Sequence, residues 1–170
     1  LGLIGFGASA HLVLKMVTFS YPKSRVFVFT RSLKEQEFAM ELGAAWTGHI
    51  EDYPPSLLHS IIDTTPAWKP VVKALEYLIP GGRLVINAIR KKNADKDWLT
   101  KIEYQDHLWM EKEIKSVANV TRVDIRNFLD LSARASIRPE VQVYPFSDAN
   151  RALLELKDRV IHGAKVLEIS

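Results

Sequence analysis

Leu1-Gly2-Leu3-Ile4-Gly5-Phe6-Gly7-Ala8-Ser9-Ala10-His11 is the stretch that decides the fold of this chain. A short apolar run leads straight into G-x-G-x-x-A, and an apolar helical stretch, residues 12–17, follows it. Strand, glycine turn and helix in that order make the βα unit that holds the pyrophosphate of a dinucleotide. Gly5 allows the tight turn, Gly7 leaves room for phosphate against the backbone, and small Ala10 lets helix and strand pack closely. The helix N-terminus aims unpaired N–H groups and the positive end of its dipole at the same point. The chain starts without Met and inside this first strand, so it reads as part of a longer polypeptide.

Working outward, apolar β-branched runs alternate with helical-period segments. Residues 1–5 form the first strand and 8–19 the first helix. Arg25-Val26-Phe27-Val28-Phe29-Thr30 is a second strand, apolar enough to be covered on both faces. Ser32 caps a helix over 33–42 that stops at Gly43. Short strands are expected at 44–47 and 61–63. A helix over 66–77, periodic in Val71, Val72, Leu75 and Leu78, ends at Pro80-Gly81-Gly82. Strands at 83–87 and 113–118 follow, the latter as the open edge of the sheet. This alternation predicts an α/β fold, a doubly wound parallel sheet of the Rossmann type.

After a helix at 121–135 the pattern changes. Pro139 opens a segment with a strand at 141–144, a helix at 147–156 and a strand at 164–169. Two parts are therefore expected: a dinucleotide-binding domain, 1–138, and a C-terminal segment, 139–170. The connection over 90–112 is polar but carries Trp98 and Trp109, which should pack it down. Arg90-Lys91-Lys92, with Asp95 and Asp97 close behind, reads as a solvated loop rather than a nucleic-acid patch.

At 170 residues the chain suits one domain with a substantial core. Its 47% apolar and 25% charged residues are ordinary for a globular protein, and its net charge is +3. No apolar stretch approaches the ~20 residues of a membrane helix. With no cysteine, neither disulfides nor thiolate metal ligands are available, which fits a cytoplasmic setting.

An acid at the end of the second strand, about 20 residues past the glycines, would hold the adenosine ribose hydroxyls of NAD. Thr30-Arg31-Ser32 stands there instead. A guanidinium flanked by hydroxyls suits a 2′-phosphate, so Arg31 reads as a clamp for NADP; the plainer alternative is an exposed Arg opening a helix. Asp63-Thr64-Thr65-Pro66 and Asn87-Ala88 end the next two long strands and can face ribose and nicotinamide, or simply form capped turns. Asp63 reads as a turn cap. The five histidines stand singly, so no metal site is expected, and His11 reads as packed under the glycine turn. Arg122 and His162 are further candidates for phosphate contact. No catalytic residue is assigned within the chain.

Taken in order, G-F-G-A-S-A-H, V-F-V-F-T-R-S, I-I-D-T-T, L-I-P-G-G-R-L-V-I-N-A and K-S-V-A-N-V-T-R-V-D resemble the medium-chain dehydrogenases, nearest to the zinc-dependent alcohol dehydrogenase branch. The resemblance covers nearly the whole chain. It implies a nucleotide domain inserted into a catalytic domain that supplies the zinc ligands, with residues from about 139 returning to that part. Carried over by position, Gly5, Gly7, Ala8, Ser9 and Ala10 match the pyrophosphate turn. Thr30, Arg31 and Ser32 match the adenosine corner. Thr64, Thr65, Asn87 and Ala88 match the loops facing ribose and nicotinamide, and Val117 a backbone contact near the carboxamide. Glu35 stands where many relatives have Lys, and His162 where they often have Arg.

The resemblance implies NADP or NAD as cofactor, a small alcohol or aldehyde as substrate, zinc held by residues outside this chain, and a homodimer through the edge strand at 113–118. No nucleic acid or membrane partner is expected. Competing readings are a zinc-free quinone or enoyl reductase of the same superfamily, a methyltransferase using S-adenosylmethionine, and a dinucleotide-binding module without catalysis. Thr30-Arg31 argues against the methyltransferase, which needs an acid at that strand end.

Overall fold

A computed structural model describes residues 1–157 and 164–169 of the chain. Strand β1 (Gly2–Ile4) is three residues long and paired on both sides, parallel to β2 (Phe27–Phe29) and to β4 (Leu58–Asp63). On one flank β2 pairs with β3 (Trp46–Gly48). On the other, β4 pairs with β5 (Leu78–Ile86) and β5 with β6 (Glu113–Ser116). All pairs are parallel, in the order β3-β2-β1-β4-β5-β6. The order reverses between β1 and β4, which places a ligand crevice beyond their carboxyl ends.

Alternation along the strands divides the core between two faces. Ile4, Phe27, Phe29, Ile61 and Leu84 pack with Val71, Ala74 and Leu75 of helix α3 (Lys69–Leu75). Leu3, Val26 and Val28 pack instead with Ala10 and Leu14 of α1 (Ala8–Ser20) and with Phe38 and Ala39 of α2 (Leu33–Glu41). Neighbouring residues of one strand thus belong to different layers, which is why the strands read as unbroken apolar runs. Leu14 is completely buried, and truncating such a side chain to Ala costs about 2–5 kcal/mol. Tyr77 stacks on Phe29 at 5.6 Å and donates to the Ile50 carbonyl at 2.7 Å. Burial pushes its phenol up to about 12.

Several boundaries differ from the sequence reading. The expected strand at 83–87 begins earlier, at Leu78, because Pro80-Gly81-Gly82 forms an irregularity inside β5 rather than a turn before it. Gly81 adopts φ +70° there and donates to Met110. Helix α3 is shorter than the expected 66–77, with Pro70 in its first turn. In the connection after β5, two short helical turns (Lys96–Lys101 and Tyr104–Leu108) form. Trp98 packs there beneath Lys69 and Lys101, whereas Trp109 remains half exposed, contrary to expectation.

Helix α4 (Arg122–Arg134) starts with a reciprocal capping box between Thr121 and Asp124 and buries no residue. Beyond it, β7 (Val141–Pro145), α5 (Ala149–Lys157) and β8 (Ala164–Glu168) form a unit whose two parallel strands make a separate sheet. Tyr144, Glu155 and Lys165 meet at its centre: the Tyr144 hydroxyl and the Lys165 ammonium both reach Glu155, at 2.6 and 2.5 Å. The unit is tied to α1 by Lys15, which donates to the Arg138 carbonyl and the Glu140 carboxylate. No helix among the described residues is long and apolar enough to cross a membrane.

Candidate cofactor site

At the end of β1 the chain stays bonded to both neighbours. Gly5 donates to the Phe29 carbonyl at 2.9 Å, and Thr64 donates its N–H to Ile4 at 3.0 Å. Gly5 then turns with φ +81°, a conformation that a side chain resists. A Cβ there would stand 2.9 Å from the Thr64 hydroxyl and 3.0 Å from the Thr65 methyl. The glycine turn is therefore packed directly on the turn after β4, across the reversal in strand order. Gly7 faces the other way: nothing lies within 4 Å of where its Cβ would be.

Gly7, Ala8 and Ser9 are exposed, while Ala10 is buried against the sheet. Helix α1 begins at Gly7 with no side-chain cap and no acid in its first turn. Open N–H groups, a positive helix end and room over Gly7 fit a pyrophosphate. His11 is buried beneath them and its Nδ1 lies 3.3 Å from the Gly7 carbonyl. It is a support of the turn and reaches no open surface.

The corner after β2 is built differently from what its residue types suggested. Thr30 is buried, and its hydroxyl donates to the Glu35 carboxylate. Ser32 caps α2 by accepting from the Glu35 N–H at 3.4 Å. Gln36 donates to the Thr30 carbonyl. Of the three expected corner residues, only Arg31 is fully exposed, and it makes no ion pair or side-chain hydrogen bond with the described residues. A carboxylate does stand at the end of β2, but the first turn of α2 supplies it. The Ser32-x-x-Glu35 spacing resembled a capping box, in which Glu35 would reach back to the Ser32 N–H; it reaches Thr30 instead.

At the end of β4, Asp63 is completely buried and accepts from the Thr65 N–H at 3.2 Å and the Thr65 hydroxyl at 2.7 Å. The Thr64 hydroxyl donates to Ile4 at 2.9 Å. The hydroxyl protons of both threonines are given to protein acceptors, so toward a ligand these hydroxyls can only accept. Asn87, exposed, is bonded through its N–H to the Asp63 carbonyl, and Ala88 follows it. Val117 continues β6 by one hydrogen bond, its N–H donating to Ile86, so only its carbonyl is free of that ladder.

The sequence reading went wrong at Lys91. It lies in the basic run taken as solvated, yet its side chain is only 9% exposed and its ammonium is paired with Asp63. It also donates to the Thr65 and Ala67 carbonyls, at 2.9 and 2.8 Å. One signal pointed to it: a carboxylate ending a fully covered strand needs a buried counter-charge.

Among the described residues no three histidine or acidic groups converge as metal ligands. His162 lies outside the described residues, and Arg122 is exposed as the first residue of α4. A cleft of roughly 380 Å³ opens between α3 and Trp98, but on its walls Lys73 pairs with Glu76, and His107 Nε2 lies 3.5 Å from the same carboxylate.

No family model matches the sequence. The chain is 37% identical over 169 residues to a probable alcohol dehydrogenase, AdhA, of Mycobacterium tuberculosis, covering 99% of this chain and 47% of that protein. Among solved structures, a cinnamyl alcohol dehydrogenase of Sorghum bicolor superposes with a TM-score of 0.84 at 20% identity, over 98% of this chain and 46% of that one. The CAD of Helicobacter pylori, complexed with NADP(H), gives 0.79 at 17% identity, over 98% of this chain and 46% of that one. The chain thus spans about half the length of the relatives it matches. The glycine turn at the strand reversal, the 3-2-1-4-5-6 order and this likeness agree: over its whole length the chain is similar to about half of an alcohol dehydrogenase.

Proposed function

We propose that this chain is the cofactor-holding part of an NAD(P)-dependent alcohol dehydrogenase. The observation that carries the reading is the uncapped α1 N-terminus behind a glycine turn that packs on Thr64 across the switch point. The first turn of α1 with Gly7, Ala8 and Ser9 binds the pyrophosphate. The corner of Arg31 and Glu35 takes the adenosine ribose, and the turns at Thr64–Thr65 and Asn87–Ala88, with the Val117 carbonyl, take the second ribose and the nicotinamide. When bound, the nicotinamide supplies the hydride that an alcohol gives up or an aldehyde receives.

Within this reading Arg31 favours NADP through its unpaired guanidinium, residues 1–138 are the dinucleotide domain, and 139–170 belong with the catalytic half. Within the same reading, zinc and the proton relay of such an enzyme would be carried outside the described residues, which hold no zinc ligand set. Gly5, packed against Thr64, keeps the phosphate turn closed on the nicotinamide side. The outer edge of β6 extends the sheet across a two-fold axis in a homodimer.

Calorimetric titration of the chain with NADPH, NADH and S-adenosylmethionine tests the reading. Binding of either dinucleotide, with none of S-adenosylmethionine and no alcohol oxidation on adding zinc, is the expected result. Failure to bind both dinucleotides, or zinc-dependent turnover by this chain alone, would overturn it.

A further inference from the structure

The ion pair between Lys91 and Asp63 is a buried charged feature that phosphate and ribose binding leave unused. Asp63 is 0% and Lys91 9% exposed at the side chain. Enclosing two charges is costly and contributes little net stability, so such a pair is weak as a fold stabiliser and strong as a fixer of geometry. All three Lys91 donors are spent on one short segment: the Asp63 carboxylate and the Thr65 and Ala67 carbonyls. Its ammonium also lies 5.6 Å from the centre of the Trp68 ring.

The pair joins two loops. Lys91 belongs to the segment after β5, whereas Asp63 through Ala67 is the turn after β4. Two backbone bonds run beside it, from Asn87 to the Asp63 carbonyl and from Lys92 to the Pro66 carbonyl, at 2.8 and 2.7 Å. The segment between them, 88–90, is therefore an arch with both feet fixed on the β4 turn. Ile89 at its crest is completely exposed. In a sheet of this order the β1-β2-β3 half receives the adenosine and the β4-β5-β6 half the nicotinamide mononucleotide. The arch and the Thr64–Thr65 turn are the rim of that second half.

We propose that Lys91, acting with Asp63, is the positioning residue of the nicotinamide half of the cofactor site. It locks the arch over 88–90 and the turn over 64–66 into one rim. It touches no ligand itself. The inference rests on the dinucleotide reading above, and it assigns a job to a residue outside the phosphate turn.

The test separates the halves of the ligand. Wild type, Lys91→Met and the paired Asp63→Asn/Lys91→Met are titrated by calorimetry with the preferred dinucleotide and with its nicotinamide-free counterpart, ADP-ribose or its 2′-phosphate. Lys91→Met is expected to weaken the dinucleotide by about tenfold, the worth of one well-placed hydrogen bond, while ADP-ribose binding stays within twofold of wild type. Lys91→Arg, which keeps the charge, should restore part of the loss. A purely structural role would change both ligands alike. Equal losses for both ligands, no loss for either, or unfolding of the single and the paired variant alike would overturn the proposal. If only the single variant unfolds, the paired one carries the comparison. If wild type binds ADP-ribose but gains nothing from the nicotinamide, the positioning role fails while the adenosine site stands; no binding of either overturns the dinucleotide reading with it.

Discussion

The Glu140 N–H donates to Nε2 of His11, 3.4 Å away and 129 positions earlier in the chain. Nε2 can accept only if the proton sits on Nδ1, and Nδ1–H then donates to the Gly7 carbonyl at 3.3 Å. One neutral imidazole thus joins the phosphate turn to the start of the C-terminal unit.

Burial, and then the Lys15 ammonium, hold the His11 imidazole below the ordinary histidine value, against the opposing pull of the Gly7 carbonyl and the Glu140 carboxylate. The unfolded chain therefore takes up this proton first as the pH falls. Stability from His11 is complete above the ordinary value of about 6.5 and is lost as pH falls from there through the lowered folded value. Urea melts across that window should show a decline that His11→Phe flattens. The substitution should also cost about 1 kcal/mol at neutral pH through the lost bonds. An unchanged pH profile in the variant would remove His11 as the source.

At the adenosine corner an unpaired guanidinium stands near a carboxylate that already holds the Thr30 hydroxyl. A partly exposed phosphate–guanidinium contact contributes on the order of 1–3 kcal/mol, roughly 5- to 150-fold in affinity. Arg31→Ala should weaken NADPH by that factor and leave NADH within twofold. Glu35→Gln should act oppositely, strengthening NADPH by removing a repelling charge. Raising the salt should narrow both differences, since the corner is open to solvent. Equal affinities of wild type for NADPH and NADH, with no selective loss in Arg31→Ala, would make Arg31 an ordinary surface residue.

Gly5→Ala combines a left-handed backbone with a Cβ only 2.9 Å from the Thr64 hydroxyl. It should destabilise the chain by about 1–3 kcal/mol and weaken dinucleotide binding as the Thr64 turn is pushed away. Gly7→Ala meets no atom within 4 Å and should leave the melting temperature unchanged, acting on phosphate alone. Thermal melts of the two variants side by side check the contrast.

Among the described residues strand β6 pairs only with β5, and Ile114, Val117 and Val120 are exposed along this edge. The Val117 N–H points toward β5, so alternation turns the Ser116 N–H to the open side. Ser116→Pro would remove an outward donor without touching the β5 ladder. Light scattering should find a dimer for wild type and a shift toward monomer for the variant; a wild type that stays monomeric at high concentration would count against edge pairing.

The layout was legible where a single local rule governs. Residues 26–29 alternate between two cores, so their apolar run announced a covered strand, and Ser32 proved the cap its type suggests. Position 5 carried its own geometry, because only glycine tolerates that turn. Lys91 was misread, and the bond of Glu35 to Thr30 went unforeseen, because their roles depend on partners 28 and 5 positions away, and a basic run or a helix start looks the same whether or not a buried acid or hydroxyl waits for it. The irregularity at Pro80–Gly82 escaped for a similar reason: Leu78 joins the sheet only because Leu58 lies beside it.

The central place of β1 also shapes how the chain folds. Its outer partner β4 begins only at Leu58, so the middle strand must wait for a segment roughly 55 positions later. At ribosomal rates of about 5–20 residues per second, that delay is on the order of 3–10 s. During it, Leu3 and Ile4, which end almost completely buried, have no sheet on one side. The same arrangement that lets a ligand bridge two distant segments therefore leaves a nascent apolar strand open to chaperones, and to other nascent chains, for the whole of that interval.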